Sequence, residues 1–118
     1  MSGLARGWLR MVSLTAEESG MMQRLTRSSG LGPGEAESIA LAAVRRLRLI
    51  VDDKQARSVA AAIGIEHVGT AGTLLEAYLH RRFGMDELEA ALADLSQVLW
   101  LSPAVVAEVL RIAREATR

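Results

Sequence analysis

Two acidic pairs hold the chemistry this sequence offers. Glu35 and Glu37 follow the glycine- and proline-rich stretch Gly30-Leu31-Gly32-Pro33-Gly34, and Asp52 and Asp53 close the apolar run Leu47-Arg48-Leu49-Ile50-Val51. Carboxylate oxygens are the ligands that hard divalent cations such as Mg²⁺ and Mn²⁺ select. A helix opening near Glu35 and a strand ending at Asp52 would bring both pairs to one edge of an α/β sheet, where open sheets of this kind place their sites. Each acid also has a purely structural use. Glu35 suits the positive end of a helix, Asp53 suits an N-cap contributing about 1 kcal/mol, and Glu37 reads as solvent-facing. No aspartate precedes Asp52, and the first acidic residue of any kind is Glu17.

Other chemistries lack their residues. There is no cysteine, which removes disulfides, thiolate catalysis and Cys-based zinc sites, and two histidines, His67 and His80, do not make a His-rich metal centre. The glycines at 30–34 are not followed by the Lys-Ser/Thr of a phosphate-binding loop, so they read as a connection between helices. Formal net charge is zero, so total charge gives no sign of a nucleic-acid binder. The cluster Arg45, Arg46, Arg48 reads as the solvated end of a helix. Trp8 and Trp100 read as packing residues, because one Phe and one Tyr are a poor inventory for base stacking.

The elements that must position the acids follow from periodicity and punctuation. With 118 residues, half of them hydrophobic, and a mean hydropathy of +0.19, the chain is expected to form a single domain over residues 1–118. No apolar run approaches a membrane span, and the start shows no signal-peptide pattern, so cytoplasmic residence is expected. Residues 8–14 alternate imperfectly and predict a strand. Thr15 and Glu18 form a capping box for a helix to about Arg27, stopped by Ser28-Ser29-Gly30. A second helix is expected from Glu35, then a buried strand over 47–51 covered on both faces, then a helix over 54–63 ending at Gly64. A strand at 65–68 precedes helices over 73–82 and 86–95, a strand at 97–101, and a last helix started by Ser102 and Pro103. That helix is expected to bury Val105, Val106, Val109, Leu110 and Ile112. Strands alternating with helices predict an α/β layer fold. A helix-turn-helix over 56–82 is disfavoured, because Thr70-Ala71-Gly72-Thr73 offers nothing that reads base edges.

Three segments, residues 34–42 (GEAESIALA), 52–57 (DDKQAR) and 69–75 (GTAGTLL), resemble in order and separation those of a prokaryotic group of PIN-like proteins. The resemblance runs from about Trp8 to the C-terminal helix. It implies a three-layer α/β fold with a small, mainly parallel sheet flanked by helices. It also implies kinship with Mg²⁺- or Mn²⁺-dependent ribonucleases, many of them toxins of toxin-antitoxin pairs. By motif position Glu35 and Asp53 correspond to catalytic and metal-binding acids, with Asp52 assisting, while Gln55 stands where a further acid often occurs.

The same resemblance implies a first strand carrying a catalytic aspartate, for which this sequence has no counterpart. The expectation is therefore an N-terminally truncated PIN-like domain, weak or inactive alone. A partner chain or antitoxin would supply the missing strand, or the scaffold would serve as a non-catalytic assembly protein. Exposed sheet edges left by such a truncation predict a homo-oligomer. RNA is the implied substrate, and no membrane association is expected.

Overall fold

The computed structural model describes residue 7, residues 9–99 and residues 101–117. Among them are six helices and a two-stranded parallel sheet, a small α/β arrangement as expected. The elements are α1 (Ala16–Ser29), α2 (Pro33–Arg45), β1 (Leu49–Ile50), α3 (Lys54–Ile63), β2 (His67–Val68), α4 (Thr70–Leu79), α5 (Met85–Val98) and α6 (Pro103–Ala116). They divide into two compact units, one of Met1–Leu49 with Asp53–Glu66, the other of Ile50–Asp52 with His67–Arg118.

In the first unit α2 packs against both α1 and α3. Its core is built from Leu25, Leu31, Ile39, Leu49 and Ile65 with five alanines, Ala36, Ala40, Ala42, Ala56 and Ala60. Small side chains at these contacts let helix backbones approach closely, so the unit depends on tight fit rather than large apolar volume. The Thr15 capping box forms as the sequence predicts: Thr15 N–H donates to Glu18 Oε1 and Glu18 N–H to Thr15 Oγ1. Gly30, at φ 66°, ends α1 in the left-handed conformation that glycine adopts at least cost. At the end of the unit Leu49 N–H donates to Glu66 O at 2.9 Å.

The second unit packs α4 against α5 and α6. Tyr78, Leu88, Leu92, Val109, Ala71 and Ala113 form its buried core, flanked by Leu74, Leu75, Phe83, Met85, Leu101 and Leu110. Ser102 Oγ accepts Val105 N–H, and Pro103 occupies the first turn of α6, as expected. Val51 N–H donates to Val68 O at 2.9 Å.

Several elements depart from the sequence reading. Residues 9–14 form no strand: Leu9, Met11 and Val12 are exposed, so no face is buried to reward extended pairing. Trp8 and Trp100 lie outside the described residues. Helix α2 opens at Pro33 rather than Glu35, because proline is preorganised for the first helical position and Gly32 provides the N-cap. The expected strand over 47–51 shrinks to Leu49–Ile50. Arg46 adopts a left-handed conformation at φ 56°, and both Arg46 and Leu47 donate to Ala42 O, so residues 46–48 close the helix instead. That strand is covered on one face only, with Leu49 buried and Ile50 58% exposed.

Helix α4 starts three residues earlier than expected, since Gly72 lies inside it. A Cβ there would sit 2.7 Å from Val68 Cγ2, so glycine serves close packing and not a break. Helix α5 runs on to Val98 in place of a strand at 97–101, with Leu99 N–H donating to Leu95 O. Val105 is exposed, and the buried line of α6 passes through Val109 and Ala113.

Candidate functional site

Glu35 is the third residue of α2. The N-cap, Gly32, has no side chain with which to cap, and a Cβ added to it would meet Glu35 Oε2 at 2.7 Å. The carboxylate therefore lies back over the start of its own helix, where the macrodipole favours negative charge. Glu35 is half-buried, and among the described residues it makes no hydrogen bond or ion pair. Glu37, one third of a turn past Ala36, is exposed as expected.

Asp53 is the N-cap of α3, and its Oδ2 accepts Ala56 N–H at 2.9 Å. One oxygen is thus engaged by the helix. Two residues on, Gln55 donates from Nε2 to Ser29 O at the end of α1, and it lies 3.8 Å from where a Cβ of Gly30 would be. The start of α3 is thereby tied to the loop at residues 30–32, whose other end lies under Glu35. Within the first unit Glu35 lies against Gly32 at one end of this loop and Gln55 against Gly30 at the other. Gln55, at the position where the family resemblance implies a further acid, acts as an anchor for the end of α1.

Asp52 is committed elsewhere. In the second unit its Oδ1 accepts Thr70 N–H at 2.8 Å and its Oδ2 accepts Thr70 Oγ1–H at 2.6 Å. The N-cap of α4, Gly69, supplies no side-chain cap, so Asp52 provides one from 18 residues away. This bond gives Asp52, Thr70 and Gly72 a common purpose: setting the start of α4 beside β2.

Sequence reasoning missed one charge pair, in which the carboxylate is buried and the guanidinium stays partly exposed. Glu18 is 1% exposed, accepting Arg45 Nε–H at Oε2 (2.8 Å) and Arg45 Nη2–H at Oε1 (3.1 Å), while Arg45 Nη2 also donates to Ser13 O. The Arg45 bonds, with the Thr15 N–H bond, hold the Glu18 carboxyl down at about 2. Arg45 is thus an ion-pair partner and not simply a solvated helix end. The signal was present in the capping box, which fixes Glu18 on the inner face of α1.

Carboxylates at helix starts, on helices accompanying a short parallel strand pair, are parts a small α/β hydrolytic domain can be built from. A PIN-domain family model matches residues 2–115, and the chain belongs to the PIN-domain family, a nuclease-type domain. Neither curated proteins nor solved structures give a match.

PIN domains are generally dependent on divalent metal. The donor chemistry here fits such an ion, since Glu35 and the uncommitted oxygen of Asp53 are hard oxygen ligands. The number does not: among the described residues no group of three or more Asp, Glu, His or Cys side chains is placed to hold a metal ion. No helix among them is long and apolar enough to cross a membrane.

Proposed function

We propose that this chain is a PIN-type ribonuclease domain of the toxin-antitoxin kind whose own carboxylates, Glu35 and Asp53, hold Mg²⁺ or Mn²⁺ weakly, so that cleavage of RNA by the isolated chain is slow. The observation that supports this reading is the Gly32 contact, which leaves Glu35 over a bare helix start with no partner among the described residues. Asp52 contributes by setting α4, since both of its oxygens are used by Thr70. A further carboxylate from a partner chain or antitoxin would raise the charge that offsets dehydration of the ion. The test is cleavage of a single-stranded RNA in Mn²⁺ by the chain and by Glu35→Gln. Slow cleavage that falls at least tenfold in the variant supports the reading, and equal rates in both would sink it.

A second reading, a non-catalytic assembly protein on the PIN scaffold, draws on exposed apolar side chains: Met11 at 85%, Val98 at 84% and Ile50 at 58%. Gathered into one contiguous patch, such side chains would favour association with a second copy. A well-dispersed monomer by light scattering at high protein concentration would count against it.

A further inference from the structure

Helices α2 and α4 are each followed by an arginine in the left-handed conformation, Arg46 at φ 56° and Arg81 at φ 59°, where α1 and α3 use Gly30 and Gly64. A side chain in that conformation carries steric strain that glycine avoids. A cation at a helix C-terminus is favoured by the macrodipole, but Arg82, with ordinary backbone, already stands at the end of α4. Arg81 is therefore strained without a local compensation, and strain of this kind points to a function.

Arg46 shares the strain, so the surroundings are what single out Arg81. Arg81 lines a cavity of about 710 Å³ within the second unit, together with Tyr78, Leu79, Phe83, Gly84, Ala116 and Thr117. That volume lies in the range of small-molecule sites. No acid is among the lining residues, and Arg81 is exposed with no hydrogen bond or ion pair among the described residues. Tyr78 is 8% exposed; its hydroxyl has no partner among the described residues and is not sealed from solvent. Other polar groups of the wall are engaged. Arg81 N–H donates to Tyr78 O, Arg82 N–H to Ala77 O, Gly84 N–H to Glu87 Oε1 and Thr117 Oγ1–H to Arg114 O. What remains to meet a ligand is one guanidinium, one phenol, and apolar surface from Leu79, Phe83 and Ala116.

Going beyond the proposed ribonuclease activity, we infer that this cavity binds a small aromatic organic anion, a carboxylate or sulfonate. The planar guanidinium of Arg81 matches two oxygens of such a group, and the Tyr78 hydroxyl supplies a further donor. The ring of the ligand rests on Phe83 and Leu79. The site stands on the second unit alone and needs neither Glu35 nor Asp53.

The test is a fluorescence titration of the full chain with anilinonaphthalene sulfonate, followed by displacement with phenylacetate or with phenylethylamine, a similar ring carrying the opposite charge. Wild type is compared with Arg81→Gly, Arg81→Gln and, as a control for strain relief elsewhere, Arg46→Gly, with thermal melts verifying that each variant is folded. The expected result is a loss of roughly tenfold in affinity for both Arg81 variants, unchanged affinity in Arg46→Gly, and displacement by phenylacetate but not by phenylethylamine. Arg81→Gly, freed of the strain, should melt no lower than wild type, so that lost binding is separated from lost folding. Equal affinity in wild type and Arg81→Gln would overturn the inference. So would the absence of a fluorescence change with wild type, or equal displacement by the amine and the acid.

Discussion

The two units solve the problem of a small core in opposite ways. The first brings helices together through alanines at 36, 40, 42, 56 and 60 and pairs the buried carboxylate of Glu18 with the partly exposed Arg45. The second fills its interior with Leu88, Leu92, Tyr78 and Val109, and ties Arg111 to Glu108 and Glu115 and Arg114 to Glu89. One unit is organised around close backbone approach, the other around apolar volume. The difference separates a core that tolerates little added volume from one that tolerates little loss of it.

The contrast can be broken most forcefully in the cores. Leu88 is fully buried, and Leu88→Ala is expected to cost about 2–5 kcal/mol through lost burial and a residual cavity, read as a lowered urea midpoint. In the first unit the damaging change runs the other way. Ala40 is also fully buried, and Ala40→Leu is expected to cost roughly 1–3 kcal/mol by forcing α2 away from its neighbours. A neutral Ala40→Leu would show that the first unit has room to spare and would undo the comparison.

The Glu18–Arg45 pair gives the first unit a pH dependence. Its carboxyl is held below the usual value of 4.5, at about 2, so the pair contributes stability above about pH 4.5 and loses it as pH falls toward 2. Melting temperatures of wild type should decline over that window, and Glu18→Gln should start lower and decline less. Parallel curves would mean that Glu18 is not the group responsible.

Smaller effects sharpen the site. Asp52→Ala removes both bonds to Thr70 and is expected to cost about 1 kcal/mol by loosening the start of α4, measurable by denaturation. Lys54→Glu reverses the charge that opposes the α3 macrodipole. It should raise stability by roughly 0.3–1 kcal/mol, visible as a raised melting temperature.

Local chemistry made much of this legible in the sequence. The Thr15 box, the Asp53 cap with α3 ending at Gly64, and the Ser102-Pro103 start all announce themselves by residue type and spacing. Long-range facts did not. Nothing near Leu47 says that Arg46 will take a left-handed turn, and nothing near Gly72 says that Val68 needs its space. The same division holds at the site. Glu35 and Asp53 are readable as acids at helix starts, whereas the capture of Asp52 by Thr70 and of Arg45 by Glu18 depends on partners 18 and 27 residues away.

The most direct test of the central claim is calorimetric titration of the full chain with Mn²⁺ beside Glu35→Gln/Asp53→Asn, in which asparagine preserves the cap on α3. The account predicts weak binding, on the order of millimolar as suits so few carboxylates, that disappears in the variant. Identical heats in the two proteins would contradict it, leaving Glu35 and Asp53 as helix-terminal groups with no part in holding a metal.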